Sequence, residues 1–473
     1  MGSPHYPAKR RWHRSVPLAA LALFLFVVLG HEPWARAGGP SLVGGTLGVE
    51  GSPFRWNTGT ATPVEYTTDQ GGLGILTNAQ VTTLVSSAFA VWQAVPTADI
   101  TFQKTTAPAD LGQDITGTNV ATFLNSFDDC AQASSFTNAI LFDSDGSMTD
   151  ALLGAGSSTS VVGFAGPACF DGAGFFTRGK AVLNGRFLDG MARPADFSQN
   201  KYQEVGVHEF GHLIGLDHSQ INVEVLAVAQ RTTDNLFGLP VMFPFILGTT
   251  PARADQAGFP ALAPDDEAWV SRLYPDSTFD ANFGTLSGTI LFSDGITHAQ
   301  GVNVIARQVD DPGTPEDESR RIAVAVVSGY LFTGNPGQAI TGTNDGGSSF
   351  GSRDPLFIGT FDLSVPPGEY TIEVESLNSA FVGGSGVGPL NPPIANPGAP
   401  EFWDLAESAT DAPGDKSPVT VTAGGSVTVT IILNGTPPRR DEFESFHRGG
   451  PWGQEPELDA ARREPRVGEL VAG

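Results

Sequence analysis

Apolar residues recur at three- and four-residue intervals between Asn78 and Trp92, at Val81, Leu84, Val85, Ala88, Phe89 and Trp92. That spacing puts one apolar face on a helix. Ile100-Thr101-Phe102 and Gly179-Lys180-Ala181-Val182-Leu183-Asn184 read as strands. A further helix opens at Leu262-Ala263-Pro264-Asp265-Asp266-Glu267 and stops at Leu273-Tyr274-Pro275, because Pro and acids suit a first turn and Pro suits a stop. From Gly284 to Leu433 the pattern changes to β alternation broken by Gly and Pro turns. Leu286 to Phe292 and Gly301 to Ala306 are strands there, and Gly359 to Ile372 is strand, turn, strand across Pro366-Pro367-Gly368. Val419 to Thr422 and Val427 to Leu433 flank Ala423-Gly424-Gly425-Ser426, which predicts a hairpin.

Composition agrees with mixed structure. Gly 58 and Pro 35 in 473 residues favour β structure and loops over helix bundles. The length calls for two or three domains, and 40% hydrophobic residues suffice for real cores. The fold class expected is α+β, with an all-β sandwich after the mixed part. Residues 1–37 are expected to be a targeting segment, 38–276 the α+β domain, 284–435 the β-sandwich and 436–473 a charged, aperiodic and disordered tail. Gly383 to Pro400 is a Gly/Pro-rich loop between strands.

The first segment has a secretory pattern: basic Lys9, Arg10, Arg11 and Arg14, an apolar run from Leu18 to Leu29, and Ala35-Arg36-Ala37 as cleavage site. The run is short of the roughly 20 residues that span a bilayer, so a secreted protein without stable membrane insertion is expected. The formal charge is -25; an acidic surface repels a phosphate backbone, so no nucleic-acid partner is expected.

The chemistry concentrates in His208-Glu209-Phe210-Gly211-His212-Leu213-Ile214-Gly215-Leu216-Asp217-His218. His208 and His212, four apart, share one helix face and can grip one ion. Glu209 can reach a water on that ion. Gly215 can end the helix in a left-handed conformation, and the returning chain brings in His218. Three imidazoles with a fourth position open mark a catalytic rather than a structural Zn2+ site.

This H-E-x-x-H-x-x-G-x-x-H run resembles the metzincin metalloproteases. Leu239-Pro240-Val241-Met242-Phe243-Pro244 looks like their Met-turn, with Met242 beneath the zinc. Ser219 after the third His is similar to the matrixin branch, the matrix-metalloprotease-like group. Phe54-Arg55-Trp56 and Val64-Glu65-Tyr66-Thr67 resemble its first strand, and the helix from Leu262 its terminal helix. The resemblance implies a metzincin catalytic fold, zinc on His208, His212 and His218, Glu209 as general base, and a protein or peptide substrate. It also implies an edge strand for substrate pairing, expected at Gly179 to Asn184. The family's second, structural zinc cannot be built from His here, because none lies between Phe54 and Val207. Lys104 to Gly179 departs from the family pattern and reads as insertions. The Gly359-to-Tyr370 stretch resembles prealbumin-like β-sandwiches, including regulatory domains of carboxypeptidases; what such a domain binds is left open.

Cys130 and Cys169 are expected to form a disulfide, the usual fate of an even pair in an oxidising compartment. Closing a loop of about forty residues stabilises by around 3–4 kcal/mol in the chain-entropy view. Neither can act as an N-terminal cysteine latency switch. Asp143, Asp145 and Asp150 place hard oxygens that suit Ca2+, although an Asx-rich turn uses the same residues. The main rival to a secreted zinc endopeptidase is a catalytically idle binding or surface protein whose β-sandwich carries the function; a second is a metal-dependent hydrolase acting on non-peptide bonds.

Overall fold

In the computed structural model α1 (Asn78–Gln93) buries all six of the periodic apolar side chains. Thr77 caps it: its backbone N–H donates to Gln80 Oε1 at 3.0 Å and its hydroxyl accepts from Gln80 N, a reciprocal capping box. The structure describes residues 39–43, 52–59, 62–299, 301–329, 359–376 and 401–437. The targeting segment, the 383–400 loop and nearly all of the tail lie outside those residues.

The first half is built on one mixed sheet. Its strands are β1 (Arg55–Trp56), β2 (Val64–Thr68), β3 (Phe102–Lys104), β4 (Asn138–Asp143), β5 (Gly163–Phe170) and β6 (Phe175–Asn184). The order is β1-β6-β4-β2-β3, all parallel neighbours, and β5 joins β6 antiparallel. The helices of this half are α1, α2 (Val120–Phe127), α3 (Ser147–Leu153), α4 (Gln199–Leu213), α5 (Thr233–Phe237), α6 (Pro264–Leu273) and α7 (Phe279–Asn282). Helix α4 packs on α1, with the Phe89 and Phe210 rings stacked at 3.9 Å and Trp92 Nε1 donating to Val207 O at 2.8 Å. The Cys130–Cys169 disulfide is formed, with Cα atoms 5.7 Å apart.

One of the sequence expectations changes here. Gly179–Asn184 is not a sheet edge, because within β6 it pairs with β4 on one flank and β5 on the other. The edge beside α4 is β5, which pairs only with β6 among the described strands.

The β-rich second half holds β7 (Gly284–Leu291), β8 (Val302–Gln308), the short helix α8 (Glu318–Arg321), β9 (Ala323–Val327), β10 (Thr360–Val365), β11 (Gly368–Ser376), β12 (Glu401–Phe402), β13 (Val419–Val421) and β14 (Ser426–Ile432). One sheet runs β10-β7-β14 and the other β12-β11-β8-β9, with β13 on β11. The inner faces share a core that includes Leu286, Ile290, Val304, Val324, Leu363, Ile372 and Ile431. The predicted hairpin at Ala423–Ser426 is instead a corner: β13 pairs with β11 while β14 runs parallel to β7 in the other sheet. Pro366-Pro367 turns another such corner between β10 and β11, where Tyr370 Oη donates to Pro366 O at 2.8 Å. Alternation along a strand reports which faces are buried, not which sheet a strand joins, so both corners look like hairpins in sequence.

The halves meet over a buried boundary. Trp269 Nε1 of α6 donates to Ala325 O of β9 at 2.9 Å, and Ala325 N donates back to Asp265 Oδ1 at 2.8 Å. The stretch 39–43 is buried as well: Ser41 N donates to Gly215 O at 2.7 Å and Asp217 N to Gly39 O at 3.0 Å.

Candidate active site

Helix α4 starts at Ser198, whose hydroxyl accepts from Lys201 N at 3.1 Å, and runs to Leu213. His208, Glu209 and His212 are therefore helical, and each is nearly inaccessible. Gly215 follows at φ +93, where a Cβ would strike Phe176 Cε2 at 2.7 Å. Leu216 N returns to Gly211 O at 2.9 Å, and the chain reverses. The reversal brings His218 Nε2 to 3.1 Å from His212 Nε2. Ligand atoms of His208, His212 and His218 all lie within 4.8 Å of one another.

The other ring nitrogens are held by backbone. His208 Nδ1 donates to Val241 O at 2.7 Å, and His212 Nδ1 donates to Leu216 O at 3.0 Å. That leaves the Nε2 lone pairs of these two imidazoles for a metal, while the two backbone carbonyls fix tautomer and ring orientation. Burial lowers the pKa of both, His212 to about 3 with a contribution from His208, so they stay neutral as ligands must. Three converging neutral imidazoles are a donor set that fits zinc.

Burial pushes the Glu209 carboxyl up to about 8. Gly163, the first residue of β5, sits directly against it: a Cβ there would lie 2.9 Å from Glu209 Oε1 and 3.1 Å from Cδ. Met242 lies below α4, and a Cβ on Gly211 would overlap its Sδ and meet Trp92 Cζ2 at 2.9 Å. Asp266 holds this turn in place. Its carboxylate accepts Val241 N at 2.8 Å, Met242 N at 3.1 Å and Ala263 N at 2.9 Å. Gly163, Gly211 and Asp266 were not singled out from sequence for these roles. Gly at the second x of H-E-x-x-H was the one visible signal.

Asp143, Asp145 and Asp150 do not converge as ligands. Asp143 accepts Met148 N, Thr149 N and the Thr149 hydroxyl; Asp145 accepts Ser147 N; Asp150 accepts Gly156 N and Ser158 N. These bonds are the Asx-turn and helix-capping use of the same residues. A different trio, Asp404, Glu407 and Asp411, brings oxygens within 4.8 Å, but both Glu407 oxygens already accept backbone N–H groups, of Asp404 and Ile432.

Among known proteins, the sequence model of the matrixin peptidase family matches residues 55–240. No curated protein matches. Among solved structures, the major pilin subunit BcpA of Bacillus cereus aligns at 16% identity and a TM-score of 0.16, over 33% of this chain and 31% of that one. The alignment spans about a third of that pilin's length, and a score so low carries no argument about fold. With the three histidines converging on one point, residues 55–240 are a matrixin-like metzincin catalytic region.

Proposed function

We propose that the chain is a secreted endopeptidase in which Glu209 moves the proton of the attacking water. The observation that carries this reading is the pairing of the imidazole cluster with one buried carboxyl on the next residue of the same helix. His208, His212 and His218 would hold the ion. A zinc dication there would supply Lewis-acid polarisation of the scissile carbonyl and would draw the Glu209 carboxyl toward its charged form. Glu209 accepts the water's proton and delivers it to the leaving amine nitrogen. Among the described strands β5 pairs only with β6, and it runs beside Glu209, so an extended peptide adds to its other side as a further strand. Peptide pairing along that edge lays the scissile bond over the imidazoles.

Domain limits near 276 and 284 and export past the 1–37 segment belong to the same reading. The disulfide agrees with an oxidising compartment, and among the described residues no helix is long and apolar enough to cross a membrane. The test is cleavage of casein by the chain from Gly38 onward, with and without a zinc chelator, beside Glu209→Ala. Chelator-sensitive cleavage that falls at least about a thousandfold in the variant, with bound zinc retained, is expected. Turnover by the variant near the parent rate sinks the role of Glu209.

A further inference from the structure

The chain between His218 and the Met242 turn does not stand alone. Its first residues are bound by the β-rich half. Asn303 Nδ2 of β8 donates to Gln220 O at 2.8 Å, and Gln220 Nε2 donates to Glu375 Oε1 of β11 at 2.6 Å. Ile221 is wholly buried with Ile305, Ala323 and Ala325 of β8 and β9.

Asn222 is the centre of this contact. Among the described residues it is the one non-glycine at positive φ, at 54°, a conformation Asn tolerates better than other side chains. Its amide is fully used: Nδ2 donates to Asn235 O at 3.1 Å and Arg320 O at 2.8 Å, and Oδ1 accepts Arg307 Nη1 at 2.9 Å. One side chain thus ties the outgoing and returning legs of the loop to α8 and β8. Arg307 is itself fixed by Glu373 Oε2 at 2.6 Å.

The returning leg is gripped in the same way. Arg321 Nε lies 2.5 Å from Asp234 Oδ1, and its guanidinium lies over the Phe237 ring at 4.6 Å. Arg320 pairs with Glu224. Gly238 runs so close to Arg320 O that a Cβ would overlap it.

This leg walls a cavity. Leu236, Leu239, Val241 and Phe243 line it together with Lys201 and Glu204 of α4, one to two turns before His208. Val241 is also the residue whose carbonyl holds His208. The same segment therefore faces the β-rich half on one side and, on the other, a cavity that shares Val241 with the hold on His208.

We infer that the β-rich half sets the shape of this cavity, with Asn222 and Arg321 as positioning residues that determine which substrate side chains it accepts. The inference rests on the endopeptidase reading for its substrate and on the contacts alone for its clamp.

The test uses the full chain from Gly38 with two variants. Asn222→Gly keeps a backbone that adopts positive φ and removes only the amide. Arg321→Gln removes the charge and most of the ring contact from the opposite leg. Two fluorogenic peptides, identical except for Ala or Phe directly after the scissile bond, report selection. Amide hydrogen exchange reports the loop. In both variants the Phe-to-Ala ratio of kcat/KM is expected to change by about fivefold or more, through KM, with kcat within about twofold. Exchange over residues 223–238 is expected to rise at least about tenfold while α1 is unchanged. An unchanged ratio with unchanged exchange overturns the inference. So does an equal loss for both peptides that follows a lowered melting temperature, since that is destabilisation without selection. If the parent chain cleaves neither peptide, the endopeptidase reading falls by itself, and exchange still decides whether the clamp exists.

Discussion

A single missing side chain controls where the Glu209 carboxyl can sit. Gly163 carries no Cβ, and a methyl there would press on Glu209 Oε1, Cγ and Cδ at 2.9, 3.0 and 3.1 Å. The position is in a strand and outside the positive-φ set, so alanine is locally acceptable to the backbone. The effect of Gly163→Ala is therefore on placement rather than on folding. Displacing a proton-transferring group by a fraction of an ångström to one ångström costs rates up to about 10²-fold. Gly163→Ala is expected to lose about tenfold to a hundredfold in kcat, with a melting temperature within about 2 °C of the parent. Steady-state kinetics beside a thermal melt checks this, and parent-like kcat shows that Glu209 has room to spare.

At the scale of the element, α4 and the Met242 turn are one packed unit, and Gly211 is where they touch. Two effects oppose each other in Gly211→Ala. Alanine is worth about 1 kcal/mol over glycine in a helix interior. The new methyl overlaps Met242 Sδ and meets Trp92 Cζ2, and overpacking of a rigid core costs about 1–3 kcal/mol or more. The contacts are below van der Waals distance on two sides, so the second effect wins. The variant is expected to melt lower than the parent and to show coupling above about 1 kcal/mol with Met242→Ala in a double-mutant cycle of urea unfolding. A raised melting temperature would mean that Met242 moves aside freely.

The same unit shows how much was legible in the sequence. The imidazole spacing, Glu209 and the turn at Gly215 are all encoded within eleven consecutive residues, where helix periodicity converts spacing into geometry. Helix α1 was readable from Asn78 because its burial is one-sided and its cap is local. Asp266 was legible as an acid in a first turn, but not as the group that bonds Val241, 25 residues earlier. The Asn222–Arg307 contact spans 85 residues, and no local pattern announces it. The edge role of β5 and the two sheet-switching corners escaped for the same reason, since pairing partners are chosen by tertiary packing.

For the whole molecule, the two halves share a boundary that carries a buried acid. Asp265 of α6 is 2% exposed and accepts Ala325 N from β9. Burial first, and repulsion from Asp266 second, push its carboxyl up to about 8 from the usual 3.8. The folded chain keeps this proton where the unfolded chain has lost it. Stability from this group is therefore complete below pH 4 and is lost as pH rises through the folded value near 8. Asp265→Asn removes the titration and keeps an oxygen for Ala325 N. The variant is expected to match the parent at pH 4 and to grow relatively more stable as pH rises toward 8. Urea unfolding at matched pH values measures that difference, and comparing the two chains cancels other buried acids such as Asp69, which is raised to about 6. A difference independent of pH would mean that Asp265 is charged in the fold and compensated by its surroundings. Because its partner is Ala325, ionisation acts on the contact between the halves. Above pH 8 the parent should also show faster amide exchange at Ala325 than Asp265→Asn, which places the lost stability at that boundary and not elsewhere in the catalytic half.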